Sequence, residues 1–234
     1  MATARRQLGY VSQLTIQTSP LMSYGTATGG TSSSITVSSV NYTLLTFTGD
    51  ATMTVTKPGL FEVLCIGAGG GGYSPHNTGG GGGGWQTGTF YCDANVSIVV
   101  GAGGANSSSI VGGSSRFGDL IASAGGGSQD AALDTSVCGA STGGSRSGIA
   151  TRNNIVGQGT GGTTGRAGCG AGAAGSGDTG GAGKQVNTFI GGSSLLLANG
   201  GAGAASGNGT ANTGNGANSA GTGGSGVVYV RFKV

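Results

Sequence analysis

Charge is scarce in this chain. Ten Lys and Arg and seven Asp and Glu stand among 234 residues, a charged fraction of 7% with a formal net charge of +3. The basic residues are scattered and Arg5-Arg6 is their sole adjacent pair, so no basic run interleaved with aromatics marks a nucleic-acid surface. Histidine occurs once, at His76, and glutamate once, at Glu62. That leaves no ligand pair at metal-binding spacing, and the reading carries no metal and no cofactor. Asp130 and Asp134 share one segment but have no aromatic sugar platform nearby, which argues against paired-carboxylate glycoside cleavage. No apolar run approaches 18 residues, and Met1–Gln7 lacks the apolar stretch of a secretory leader, so membrane insertion is not expected. Cys65, Cys92, Cys138 and Cys169 are widely spaced without a C-x-x-C pair, and buried free thiols are expected.

What fills the chain instead is glycine, 57 residues, against roughly 7% in an ordinary protein. Leu, Ile, Val and Phe are correspondingly thin. A weakly charged chain repels itself little, so it compacts through backbone hydrogen bonds where side chains supply only a small core.

Apolar and β-branched residues crowd into the first hundred positions and the last eight. Strands are expected over Leu8–Gln17, Ile35–Thr48, Thr52–Thr56, Leu60–Ile66, Phe90–Cys92, Val96–Val100 and Arg116–Ala122. Gly49-Asp50 reads as a hairpin turn. Leu60–Ile66 is apolar on both faces except at Glu62, which suits a central strand covered on both sides. The closing stretch Val227–Val234 alternates, with Val228, Val230, Phe232 and Val234 on one face and Tyr229, Arg231 and Lys233 on the other. The fold class is therefore mainly β, without significant helix. Residues 1–40 form an N-terminal β segment suited to docking or assembly, and residues 41–234 a glycine-rich domain.

Between the strands lie the glycine runs 67–72, 79–84, 101–104 and 125–127, then a long tract over 157–226. Parts of the tract repeat every three residues, with glycine at 159, 162, 165 and 168 and again at 177, 180 and 183. Three residues make one turn of a polyproline II helix, which has no internal hydrogen bonds. Helices of this kind approach closely where side chains are missing, so a folded-back polyglycine II bundle is expected, with Thr160 and Thr163 pointing outward. Collagen is excluded by the broken register and by only three prolines, Pro20, Pro58 and Pro75. A disordered linker is the alternative reading of the composition. The closing strand argues against it, because its pairing partners lie before Cys92 and the tract must loop back.

Two motifs tempt and fail. Gly67-x-Gly69-x-x-Gly72 follows a strand, but YSPHNT and six further glycines cannot build the helix that a dinucleotide site needs. Gly139-Ala-Ser141-Thr-Gly143 matches a nucleophile elbow, yet lacks strand-turn-helix context and has only His76 as a base. No catalytic residue is assigned and the chain is not read as an enzyme. Asn41, Asn95, Asn106 and Asn208 fit the N-x-[ST] pattern, which carries no information without a secretory route.

Three blocks carry a resemblance. Phe47-Thr-Gly-Asp through Lys57-Pro58-Gly59 leads into FEVLCIGAGGGG; Val99-Val-Gly-Ala-Gly-Gly104 follows; Gly223-Gly-Ser-Gly-Val-Val-Tyr-Val-Arg-Phe232 closes the chain. Their order resembles the glycine-rich domain of bacteriophage tail, fibre and minor tail proteins, over roughly Tyr42 to Val234. The resemblance implies a virion component made in the bacterial cytoplasm, with no catalytic residues to carry over. It implies other tail or fibre proteins as partners and a host-surface glycan or envelope protein as receptor. A purely structural tail-tip, head-fibre or capsid-decorating subunit remains the alternative. Exposed strand edges and a limited core point to self-association, and a fibre location to a homotrimer.

Islands of larger residues interrupt the glycine at Tyr73–Thr78, 129–137, 146–155 and Lys184–Ile190, and most of them read as turns at the ends of the bundle. The receptor-binding candidates are Tyr73, His76 and Asn77, then Arg146, Arg152 and Asn153, then Lys184 and Phe189. Trp85 reads either as a sugar-stacking ring or as a packing anchor.

Overall fold

The computed structural model describes residues 23–107, 110–128, 139–145, 154–155, 157–161 and 165–234. The strand expected over Leu8–Gln17, the island 129–137 and Cys138 lie outside the described residues. So do Arg146, Arg152 and Asn153.

Period-two patterning builds two five-stranded antiparallel sheets. The first has the order β2 (Thr31–Val37), β3 (Val40–Phe47), β12 (Val227–Lys233), β5 (Gly59–Ile66), β6 (Trp85–Cys92). The second runs β1 (Thr26–Thr28), β4 (Ala51–Lys57), β7 (Val96–Val99), β8 (Ser115–Phe117), β9 (Leu120–Ala122). Between them Leu45, Phe47, Phe61, Val63, Cys65, Val228, Val230 and Phe232 meet Met53, Ile98 and Phe117. The other face of the first sheet is covered as well. Leu44, Leu64, Ile66, Val227 and Tyr229 pack there against Val186, Leu197 and Ala198, from an excursion made of β10 (Lys184–Gln185), a one-turn helix α1 (Asn187–Ile190) and β11 (Leu196–Leu197). The closing strand β12 is thus buried on both faces and held between β3 and β5, and β5 is internal as its two-faced pattern requires.

Several sequence expectations are corrected. Ile35–Thr48 is not one strand: Ser38 and Ser39, at φ 50° and 64°, make a two-residue turn between β2 and β3. The usual Asn-Gly signal of such a turn is missing, so continuous alternation hid it. Arg116–Ala122 likewise splits at Gly118-Asp119, where Gly118 has φ 53°. Gly49-Asp50 is a corner rather than a hairpin, because β3 and β4 belong to different sheets. Asp50 holds that corner by accepting a hydrogen bond from the Val100 N–H at 2.8 Å. Strands β1 and β2 pair with β4 and β3, beyond residue 40.

The glycine runs form a bundle whose hydrogen bonds display the threefold screw directly. Along 79–84, Gly79 and Gly82 donate to the carbonyls of Arg166 and Cys169, Gly80 and Gly83 to Ala217 and Gly214, and Gly81 and Gly84 to Gly126 and Ser123. Every third N–H returns to the same neighbour, as three residues per turn demands. In the other direction Gly144 donates to Gly79, Gly201 to Gly80, and Gly70 and Gly67 to Gly81 and Gly84. Six different segments therefore surround this one, a hexagonal polyglycine II packing. Surrounded on every side, the segment has no outward position, and each residue in it is buried glycine. A Cβ at Gly83 would stand 1.8 Å from the Gly67 carbonyl oxygen, and one at Gly81 2.3 Å from that of Ser141.

The register glycines Gly159 and Gly165 face inward, but the register does not set such glycines apart, since Gly170, Gly172 and Gly181 between its positions face inward too. Gly168, Gly180 and Gly183 do as well, each with a carbonyl oxygen 1.9 to 2.1 Å from an added Cβ. Gly177 does not: at φ 56° with nothing within 4 Å, it serves the turn between Ser176 and Thr179. Thr160 is half-buried, and its hydroxyl donates to the Gly170 carbonyl at 2.6 Å rather than pointing free. Gly162 and Thr163 lie outside the described residues. Where a neighbouring backbone is out of reach, side-chain amides complete the lattice: Asn199, Asn215, Asn218 and Asn208 accept from the N–H groups of Gly183, Asn199, Ala202 and Thr222. The disordered-linker reading fails for the described part of 157–226, whose backbone is bonded into this lattice.

Candidate functional site

One end of the bundle adjoins the sheets and the other carries loops. Gly84 leads straight into β6, whereas Gly79 follows the loop Tyr73–Thr78, which joins two neighbouring glycine helices. Tyr73 and Thr78 exchange backbone hydrogen bonds of 2.9 and 3.2 Å across its base. Pro75 supplies the fixed φ of a 3₁₀ turn over Ser74–His76, and Asn77 leaves it in the left-handed region at φ 51°. The rings of Tyr73 and His76 meet edge to face with centroids 5.4 Å apart. Asn77 is exposed, and Tyr73 and His76 are half-exposed. These three candidates form one small platform.

Next to it stands a pair that sequence reasoning missed. The Arg166 carbonyl accepts from Gly79 N–H, which sets Arg166 at the same end. Its guanidinium grips Asp178 with two prongs, Nε to Oδ1 and Nη2 to Oδ2, both 2.8 Å. The two side chains remain 38% and 43% exposed. They come from different loops twelve residues apart, and no local pattern announced their meeting. Ser145 donates its N–H to the Gly165 carbonyl, next in sequence to Arg166; the candidates Arg146, Arg152 and Asn153 lie outside the described residues.

Lys184 and Phe189 sit elsewhere. The expectation that Lys184–Ile190 is a bundle-end turn is corrected: it is the excursion covering the first sheet. Six residues at ~3.1 Å each put about 19 Å of glycine helix between it and the Tyr73 loop. Lys184 lies over the Trp85 ring, 5.8 Å from its centroid, and Trp85 packs against the outer core, as an anchor would. Phe189 is the lid of a half-buried cation. Arg231 is stacked between the rings of Tyr42 and Phe189, 4.4 Å from each. It binds the Glu62 carboxylate through Nε and Nη2 at 2.7 and 2.6 Å. Its Nη1 donates to the carbonyls of Thr188 and Phe189, the groups that a one-turn helix leaves unpaired at its end. Tyr24 donates its hydroxyl to Glu62 Oε1. Burial, then that hydrogen bond to a carboxylate, pushes the Tyr24 phenol up to about 12. A cleft of about 330 Å³ opens beside this network, lined among others by Thr87, Thr89, Val186 and Phe189. All three nitrogens of the Arg231 guanidinium are engaged in the fold, so the network locks α1 to the sheet.

Both motifs lie within the glycine bundle. Gly67–Gly72 is a glycine helix in the bundle. Ser141 is fully buried with its backbone in the lattice, while the single histidine sits in the loop platform. Among the described residues no group of three His, Cys, Asp or Glu is placed to hold a metal ion. Cys65, Cys92 and Cys169 are buried free thiols, and no described helix is long and apolar enough to cross a membrane.

A β-sandwich continued by a hexagonal glycine bundle defines a class of protein built on backbone packing. The family model for the glycine-rich domain matches residues 45–233, and the chain belongs to that family. No curated protein and no solved structure matches it.

Proposed function

We propose that this chain is a non-enzymatic phage virion protein of the tail or fibre, which presents loops at one end of a rigid glycine scaffold to a host-surface glycan or envelope protein. The observation that carries the reading is the division of labour along the bundle. Its interior holds glycine with a few small side chains such as Ala140, Ser141 and Ala217, while the Tyr73–Thr78 loop and the Arg166–Asp178 pair bring aromatic, amide and charged groups to one end. Loops anchored on a hydrogen-bonded lattice lose little entropy on binding. The resemblance to glycine-rich domains of tail and fibre proteins supplies the virion setting, with other tail proteins as neighbours and a homotrimer as the unit.

The test is adsorption of purified protein to a panel of bacterial strains, with light scattering for the trimer. Replacing Tyr73 by Ala and Asn77 by Gly, which keeps the left-handed backbone at residue 77, should lower binding at least about tenfold without moving the melting temperature, since loss of an aromatic anchor costs on the order of 2 kcal/mol. Absence of binding to every strain, with the chain still built into particles, would favour the purely structural subunit.

A further inference from the structure

The cleft of about 330 Å³ lies between the outer face of the first sheet and the excursion that covers it. One wall comes from β5 and β6, where Leu64 pairs with Thr87 and Glu62 with Thr89. Paired residues share a face, so both threonines stand beside Leu64 on the outer side. The other wall comes from β10 and α1, through Gln185, Thr188 and Phe189. Trp85, at the start of β6, lines the cleft too. Its volume falls in the range of small-molecule sites, ~300–1,000 Å³.

The lining narrows the ligand. Glu62 and Arg231 are the charged residues on it, and they neutralise each other. Arg231 spends its remaining nitrogen on the carbonyls of Thr188 and Phe189, and Tyr24 takes the second oxygen of Glu62. An ion entering the cleft would lose water and meet no free counter-charge on the lining, which argues against phosphates, carboxylates and metal ions. A wholly apolar ligand fits no better. The Thr87, Thr89 and Thr188 hydroxyls make no hydrogen bond among the described residues, and covering them with hydrocarbon would strand them. The Gln185 amide nitrogen is held by Ser194, which leaves its oxygen as an acceptor. The main chain adds to this supply. Trp85 donates its N–H away from β5, to the Gln158 carbonyl at 3.0 Å, and backbone groups alternate sides along a strand. The N–H and C=O of Thr87 and Thr89 therefore also face away from β5, without partners among the described residues. The indole N–H of Trp85 is buried and unpartnered among the described residues as well, where such a group ordinarily has an acceptor.

We propose that this cleft is a binding site for a neutral pyranose. A pyranose is uncharged, carries hydroxyls that both donate and accept, and shows an apolar C–H face. The cleft answers with threonine hydroxyls and main-chain groups of both kinds, and with Leu64, Phe189 and Trp85 for the C–H face. The site is separate from the Tyr73 platform, with about 19 Å of glycine helix between them, and it does not rest on adhesion through those loops. A free monosaccharide and one residue of a longer glycan present the same groups, so the chemistry is shared and the source is read by experiment.

Trp85 is the sole tryptophan, so its emission reports the cleft directly. Titration of the full chain with methyl glycosides of glucose, galactose, mannose and N-acetylglucosamine should give a saturable emission change for at least one of them, half-complete by about 10 mM. An oligosaccharide of that sugar bound at least about tenfold more tightly marks a glycan as the source, and equal affinity marks the free sugar. Thr87→Val with Thr89→Val keeps β-branched residues on the strand and should weaken the response at least about tenfold by removing two hydroxyl partners, with circular dichroism unchanged. Thr188→Ala, on the opposite wall, should weaken it too. Silence toward every glycoside up to about 100 mM would overturn the proposal. So would an undiminished response in these variants, or an equal response to cyclohexanol, which has a six-membered ring and lacks the set of hydroxyls. Adsorption to bacteria is read by a separate assay, so failure of the cleft leaves the loop reading standing, and failure of the loops leaves the cleft.

Discussion

Arg231 shows how few side chains hold this molecule where glycine does not. It joins three elements, β5, β12 and α1, through one guanidinium, and only its alternation on the closing strand was readable beforehand. Its partner Glu62 is the sole glutamate, and that solitude in an apolar strand was the visible signal of a pair. The stacked rings and the bonded carbonyls come from residues far along the chain and left no trace in spacing. Two side-chain protons give this scale a pH signature. Burial pushes the Cys65 thiol from 9.0 up to about 12, and Tyr24 rises from 10.0 to about 12. Groups with raised values stabilise the fold fully below their unfolded values. As pH climbs past 9 the unfolded chain sheds these protons while the fold keeps them, so stability falls between pH 9 and 12. Buried Tyr229 shifts the same way. Thermal melts should show this decline, and a flat melting temperature to pH 11 would contradict it.

At the scale of the element, the glycine helix reverses the usual meaning of a core position. Packing is decided by the absence of atoms, and substitution cost by carbonyl distance. Gly83→Ala forces a Cβ against the Gly67 carbonyl at 1.8 Å, which separates two helices and breaks buried hydrogen bonds worth about 1–3 kcal/mol each. A loss of about 3 kcal/mol or more is expected. Gly49→Ala meets nothing within 4 Å and has no left-handed φ, so it should stay within about 1 kcal/mol of the parent. Urea melts of the two variants check the contrast, and equal tolerance would argue against the lattice. The polyglycine II element itself was legible from glycine content and period. Which glycines face carbonyls was not, because one-dimensional register is lost wherever six neighbours replace one.

For the whole molecule, the chain order couples bundle and sandwich. β12 is reached only through the glycine tract, yet it occupies the centre of the first sheet, so losing the bundle's path withdraws a central strand. Unfolding should be a single transition, with Trp85 fluorescence and far-ultraviolet circular dichroism coinciding. Its heat-capacity change should fall below the usual ~12–15 cal/mol/K per residue, since exposing glycine backbone adds polar rather than apolar surface. Calorimetry showing two separate transitions, or an ordinary heat-capacity change, would disprove this coupling.

By itself the sequence determined the class of material: few charges, strands early and late, glycine between them at a period of three, and a patterned last strand that had to come home. Composition and period decide these because they act through local sterics and backbone geometry. Only the tertiary structure decided where the hydrophobic alternation breaks at Ser38-Ser39, that Gly49-Asp50 turns between sheets, that Lys184–Ile190 covers a sheet, and that Arg166 meets Asp178 beside the Tyr73 loop. Each of those depends on which distant backbone lies alongside, and a glycine chain, having no side chains to specify its neighbours, writes almost none of that information locally.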